Sequence, residues 1–280
     1  NFNNDQPRFF GGTAFNIAVQ LAKLGEEVSI VHPVGKDFLG SEYEQYLLNH
    51  GIQLEGLQIN TNKPSGFAYV FFTEEGSTLC FSYPTQSTKV TIPQSLLKQI
   101  ELIVFTPKFS ALYKSLIKHA IAFSVPVVII GIAEAFILDL LTQTTMLSLN
   151  DHETKQLSIK MGGIPLQDIT KEMPGVLFET SGKKGCKIYQ NGEMIGIVDA
   201  VPPEEMVDPT GAGDSFAAAA LAGLRYGFNP IEAAQIGAVS ASFVLEAFGC
   251  QTNIPDWEKI SKRLMLFHPG LAKKIVKEVN

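Results

Sequence analysis

The chain has 280 residues, 45% of them hydrophobic and 18% charged, with a formal net charge of -6. That is enough apolar material for a large core, as one α/β domain with an appendage or as two domains. Its scattered acids argue against an extended nucleic-acid or anionic-membrane surface, while leaving room for a local cationic pocket.

Cys80, Cys186 and Cys250 are odd in number and far apart, so neither a disulfide framework nor a metal knuckle follows. A reducing, cytoplasmic setting is the expectation. His32, His50, His119, His152 and His268 show no ligand spacing. The most apolar run, "VPVVIIGIAEAFILDLL", is broken by Pro126, Glu134 and Asp139, and no signal-peptide pattern opens the chain. The expectation is a soluble protein with neither membrane nor nucleic-acid partners.

In chain order, "AFNIAVQLAKLG" places Ala14, Ile17, Ala18, Leu21 and Ala22 on one helical face, with Gly25 as the terminator. "VSIV" (28–31) reads as a short buried strand and 41–50 as a helix. Residues 66–83, "GFAYVFFTEEGSTLCFSY", are two β-rich segments joined by "TEEGS", a hairpin. It either projects as a small lid or pairs at the edge of the main sheet.

"LIVF" (102–105), "VVIIGI" (127–132), "MLSL" (146–149) and "VLFE" (176–179) are apolar runs of strand length, with helix-like stretches at 110–122 and 134–142 between the earlier ones. Strands apolar on both faces and separated by helices predict a mostly parallel sheet covered on both sides. The last third predicts helices at 214–226, 230–246 and 256–267.

Chemistry concentrates in "DPTGAGDSF" (208–216). Gly-Ala-Gly before a helix offers consecutive backbone amides that, with the helix dipole, suit a phosphate-like anion. An acid beside such a site, Asp214, fits a general base that deprotonates a hydroxyl attacking a γ-phosphoryl group. The amides of Gly211, Ala212 and Gly213 would then stabilise the charge on the transferred group. A plain helix N-cap is the alternative for Asp214.

"DPTGAGDSF" resembles the C-terminal signature of the ribokinase family, the PfkB-type carbohydrate and nucleoside kinases. "FFGGTAFNIAVQLAKLG" looks like that family's Gly-Gly motif, through Gly11, Gly12 and Asn16. "LNDHE" is similar to its Asn-x-x-Glu motif through Asn150 and Glu153, and "TSGKKG" to its nucleotide-side turn through Thr180, Gly182 and Gly185. The order holds from residue 9 to about 267. "GKDFLGSEYEQYLLNHGI", "IGAVSASFVLEAFGCQTNIPDWEKI" and the Asp-Pro-Thr form of the signature resemble the archaeal-type nucleoside kinases related to adenosine kinase.

The resemblance implies a single three-layer α/β domain over 1–280, with a β lid including about 66–83, using ATP, Mg²⁺ and in many members K⁺. It implies Asp214 as catalytic base and residues 211–213 as anion hole, with Gly11, Gly12 and Asn16 on the sugar part of the acceptor. It implies Asn150, Thr180, Gly182 and Gly185 beside ATP, Ala238 and Ser242 bordering the adenine, and Glu153 on Mg²⁺ through water. The corresponding K⁺ positions are Asp208, Thr210, Val244, Ala247, Gly249 and Asn253.

Each motif also has a plain structural reading. Gly11 and Gly12 suit a tight turn before a helix, and Asn150 a cap on helix 151–157. The lid aromatics Phe67, Tyr69, Phe71, Phe81 and Tyr83 suit a dimer interface, substrate stacking or two-faced packing. The family begins with a strand whose Asp grips two substrate hydroxyls, and only ten residues precede Gly11. Either that strand lies outside the chain given or part of the sugar site has been lost, and we expect the first, since a missing central strand would leave unpaired edges in the core.

The leading expectation is ATP-dependent phosphorylation of the primary hydroxyl of a nucleoside of the adenosine or inosine type. Phe9, Phe10 and Phe15 are candidates to line a slot for the base. A free sugar such as ribose or a hexose is the alternative acceptor, and a non-catalytic ligand-binding homologue the alternative of another class. A dehydrogenase is set aside, because "GGTAFN" lacks the Gly-x-Gly-x-x-Gly spacing.

Overall fold

Thr13–Lys23 (α1) starts from Gly12, whose φ of 101° an L side chain rarely adopts, and buries Phe15, Ile17, Ala18, Val19 and Leu21. The computed structural model describes residues 7–72, 78–85, 92–106, 110–132 and 135–279. After α1 come β1 (Pro33–Gly35), α2 (Glu42–Asn49), which the Ser41 hydroxyl caps at Glu44 N, and β2 (Gln58–Asn60), parallel to β1. The hairpin β3 (Phe67–Phe72) and β4 (Thr78–Tyr83) follows.

Next are α3 (Gln94–Gln99), β5 (Ile103–Phe105), α4 (Ser110–Phe123), β6 (Val127–Ile130) and, after a 3₁₀ segment, β7 (Thr144–Asn150). Then come α5 (Asp151–Lys160), α6 (Leu166–Thr170), β8 (Val176–Thr180), β9 (Cys186–Gln190) and β10 (Glu193–Val198). Four helices end the chain: α7 (Ala212–Arg225), α8 (Pro230–Val244), α9 (Trp257–Phe267) and α10 (Pro269–Val279). None of the described helices is long and apolar enough to cross a membrane.

The main sheet runs β10-β9-β8-β7-β6-β5, with β5 to β8 parallel and β9 and β10 antiparallel. Period-two alternation splits its side chains between two cores. Val128, Ile130, Met146, Val176, Phe178 and Ile188 face the layer that holds α1, α7, α8, α9 and α10. Val127, Ile129, Leu147, Leu149 and Leu177 face the layer that holds α4, α5 and α6. The three-layer α/β expectation therefore holds.

Within the first layer, α7 is buried on nearly every side, with Ala217, Ala218, Ala219 and Ala220 all 0% exposed. Small residues let it approach α8 closely. A Cβ on Gly237 would lie 2.8 Å from Phe216 O, so a larger residue there would push the helices apart.

The hairpin is a sheet of its own, so it does not pair at the main sheet's edge. Its pairs Phe67–Tyr83 and Tyr69–Phe81 put those aromatics on one face with Phe71, and all five are exposed. The "TEEGS" turn lies outside the described residues.

Two expected elements differ. Residues 28–31 are not a strand: only Ser29 bridges to Gln53, and the ladder resumes at His32 O, which accepts from Gln58 N. The tight turn Leu57 N to Leu54 O interrupts it, with Gly56 pressed so close to Ile30 O that an added Cβ would lie 2.4 Å away. The helix expected at 134–142 is a 3₁₀ segment, Ala135–Gln143, running straight into β7, where the Thr144 hydroxyl closes its last turn on Leu140 O. Glu134 lies outside the described residues.

Candidate active site

Gly211 precedes α7 in the left-handed region, at φ 87°, and a Cβ there would lie 2.7 Å from Cys250 Cβ. Both conditions call for glycine. The first helical bond runs from Ser215 N to Gly211 O at 2.9 Å, so the amides before it have no partner within the helix. Ala212 N makes only a long 3.4 Å contact with Pro209 O. An added Cβ on Gly213 would meet nothing within 4 Å, so this end of the helix is open. Such an end attracts an anion.

Asp214 sits in the first turn but does not cap it; the N-cap is Gly211, and no side-chain cap bond forms. Instead Asp214 Oδ2 accepts from Asn16 Nδ2 at 2.7 Å. The N-cap alternative is thereby excluded. Burial raises the Asp214 pKa from 3.8 to about 7; the Asn16 hydrogen bond opposes that shift and the charge of Glu153 adds to it. Its proton therefore comes and goes near neutrality rather than in the usual carboxylate range.

Asn16 is 4% exposed and is placed by the first turn of α1, where its backbone N–H donates to Gly12 O. Its Oδ1 accepts from Gln251 Nε2 at 2.9 Å, and the same Nε2 donates to the Tyr43 hydroxyl at 2.8 Å. Tyr43 in turn donates to Gly11 O at 2.9 Å. Tyr43, Cys250 and Gln251 thus join the expected Gly11, Gly12, Asn16 and Asp214, although no local sequence signal marks them. Burial, with Asp214 and Asp208 nearby, pushes the Cys250 thiol up to about 12, which keeps it neutral.

The expected base slot divides. Phe15 belongs to the core, packed edge-on to His32, whose imidazole burial holds neutral at a pKa of about 4. Phe10 stacks on Tyr43 at 4.5 Å beside Gly11 and is half-buried. Phe9 is half exposed, with its ring against Gly249.

On the opposite side, Asn150 caps α5 and forms a full capping box with Glu153: its side chain accepts from His152 N and Glu153 N, and Glu153 Oε2 accepts from Asn150 N at 2.8 Å. The Glu153 charge is felt at Asp214, where it adds to the upward shift of the carboxyl. Thr180 ends β8, and the turn 182–185 follows, with Gly182 at φ 53° and Gly185 at φ 84°. A Cβ on Gly185 would lie 2.1 Å from Val198 O.

Ala238 and Ser242 lie inside α8, at 8% and 0% exposure. The Ser242 hydroxyl donates to Val239 O and accepts from Arg263, so it has no proton free for a nucleotide. Arg263 also grips Glu246 at 2.8 and 3.1 Å.

Asp208 is 4% exposed and accepts from Thr210 N at 2.8 Å and Gly249 N at 3.1 Å, which ties the signature loop to the end of α8. Asn253 donates to Phe243 O, so its amide braces the same loop. No cluster of three His, Cys, Asp or Glu suited to a metal occurs among the described residues.

A mostly parallel sheet covered on both faces thus carries a part-buried acid at a glycine-bounded helix start. The description "pfkB family carbohydrate kinase" matches residues 4–257, and the chain belongs to that family of kinases. It is 29% identical to a nucleoside kinase of Methanocaldococcus jannaschii over 262 residues, covering 92% of this chain and 86% of that protein. To a nucleoside kinase of Methanothermobacter thermautotrophicus it is 30% identical over 262 residues, covering 90% and 84%.

The crystal structure of the Methanocaldococcus jannaschii enzyme, an archaeal member of the ribokinase family, superposes with a TM-score of 0.79 at 28% identity, covering 93% and 88% of the two chains. A Burkholderia thailandensis nucleoside kinase in complex with ADP-inosine superposes with a TM-score of 0.79 at 21% identity, covering 96% and 86%, a likeness of fold.

Proposed function

We propose that this kinase moves the γ-phosphoryl group of ATP to the primary hydroxyl of a nucleoside, with Asp214 as general base. The observation that carries the reading is the Asp214 carboxylate, held by Asn16 and tuned to a pKa of about 7 at the open end of α7. The acceptor hydroxyl gives its proton to Asp214 as its oxygen bonds to the γ-phosphorus, and the bond to the ADP oxygen breaks. The amides of residues 211–213 stabilise the charge on the transferred group. Asn16, Gly11 and Gly12 hold the sugar, with the half-buried Phe10 beside them for the base. The nucleoside kinases among its relatives favour a nucleoside over a free sugar.

Mg²⁺, which ATP chemistry calls for, would neutralise phosphate charge; Glu153, with one oxygen outside its capping box, suits a hydrated ion. Asp208, buried and accepting from two backbone amides, suits a K⁺ together with the carbonyls of Thr210, Val244, Ala247, Gly249 and Asn253. Equal rates in K⁺ and in a bulky organic cation would remove that ion. In the same reading the exposed aromatic lid face packs against a second copy, which light scattering of the purified chain tests.

The decisive assay is ADP release with Mg-ATP and K⁺ on adenosine, inosine, guanosine, cytidine, ribose and fructose 6-phosphate, with Asp214→Asn as control. Turnover on nucleosides that falls by roughly a thousandfold or more in Asp214→Asn, with ATP binding kept, supports the proposal. Turnover on sugars alone moves the acceptor. A variant as active as the wild type removes Asp214 as base.

A further inference from the structure

Gln251 is 6% exposed, and its amide nitrogen has two partners on two helices, Asn16 Oδ1 on α1 and the Tyr43 hydroxyl oxygen on α2. Its carbonyl oxygen, Oε1, is buried with no partner among the described residues. A buried acceptor left unmade is costly, and an amide turned the other way would ordinarily be preferred if it gained a bond. Here it would gain none. The Tyr43 proton is already given to Gly11 O, and the Asn16 N–H is given to Asp214. Both neighbours therefore present lone pairs, and only the NH₂ end of Gln251 can face them.

We propose that Gln251 is a positioning residue for phosphoryl transfer: it fixes the Asn16 carboxamide in the one orientation that donates to Asp214. The inference rests on the reading of Asp214 as the base. The hydrogen bonds run in a defined sense, from Gln251 N–H to Asn16 O, and from Asn16 N–H to Asp214 Oδ2, while Tyr43 anchors Gln251 to the Gly11 turn. Without Gln251, the Asn16 amide loses the partner that holds its oxygen, and its N–H is held less firmly on Asp214. The base is then misplaced, and its proton affinity rises.

A merely structural amide, tying the 249–254 loop to α1 and α2, would lower thermal stability and leave the titration of Asp214 alone. The test is Gln251→Met, of similar volume and without the amide. The ¹³C titration of the Asp214 carboxyl is followed in the unliganded protein, and kcat and KM are measured on the best nucleoside. The titratable groups coupled to Asp214 are the Glu153 carboxylate on α5 and the neutral Cys250 thiol, which also senses the Asp208 charge; the substitution changes none of them.

The expected result is an Asp214 midpoint raised by about half a unit or more, since it loses a hydrogen bond to its charged form. We expect kcat to fall on the order of ten- to a hundredfold, the scale of a misplaced catalytic group, with the KM for ATP nearly unchanged. Tyr43→Phe, which removes only the anchor, gives a smaller change in the same direction and serves if Gln251→Met does not fold. An unmoved Asp214 midpoint in the folded variants overturns the inference, because that readout needs no turnover. Full activity of Asp214→Asn would instead overturn the reading of the base.

Discussion

Asn16 and Asp214 are 198 positions apart in the chain and meet at 2.7 Å, the amide of one donating to the carboxylate of the other. The meeting depends on how α1 lies against α7. One turn beyond Asn16, Gln20 is 0% exposed, and its Oε1 accepts from both Ser215 and Ser240 while its Nε2 donates to Pro255 O. That buried knot fixes the helix next to Asp214, so the core and the candidate chemistry share one scaffold.

The first prediction concerns the rate. With Asp214 shifted to about 7, kcat/KM should fall about tenfold for each unit of pH below that value and level off above it. Cys250, held near 12, adds no second limb in the neutral range. A profile flat from pH 5 to about 9 would remove Asp214 as the group that must lose its proton.

Stability should run the other way. The folded-state pKa of Asp214 is raised from 3.8 to about 7, so the native state holds that proton more tightly than the unfolded chain. Its contribution is fully present below 3.8 and is lost as pH rises through about 7. At pH ~8 the ionised, part-buried carboxylate is a cost, and Asp214→Asn should stabilise the fold by on the order of a few kcal/mol. At pH ~4 the gain should nearly vanish. Urea denaturation at both values checks the sign, and equal gains would mean the carboxylate is well solvated.

Gly211 offers a backbone prediction. Alanine there meets a φ of 87° and a Cβ 2.7 Å from Cys250 Cβ, so Gly211→Ala should cost about 1–3 kcal/mol. Gly213→Ala, with open space around it, should cost far less. Comparing the two unfolding midpoints separates strain from general sensitivity of the loop.

How much of this was legible follows from what kind of pattern each feature leaves. The strands at 103–105, 127–130, 144–150 and 176–180 were readable because a two-faced strand has to be apolar at successive positions. Asp214 was readable because its glycines are adjacent to it. The β9–β10 hairpin was missed although Asn191 and Gly192, at φ 52° and 84°, form the two-residue turn that such a pair favours. Gln251 and Tyr43 carry no local signal at all. Their role arises only where α1, α2 and the loop after α8 converge, and no spacing along one segment encodes that. The strand expected at 28–31 failed for the converse reason: Ile30 is buried and Val28 and Val31 partly so, but a turn at 54–57 breaks its ladder.

The last prediction returns to Gln20. Replacing it with leucine keeps the volume but leaves Pro255 O without its donor and two serine hydroxyls without their shared acceptor. Ser215 and Ser240 still have each other at 2.8 Å, so the loss should be that of a partly unsatisfied site, about 1–3 kcal/mol. Changing both serines to alanine in the Gln20→Leu background removes the orphaned hydroxyls, and the triple variant should recover part of that loss. The comparison is made by urea midpoint at fixed pH. If the triple variant is less stable than Gln20→Leu alone, the serines contribute by their packing or their mutual bond, and the glutamine is not the hub of the knot.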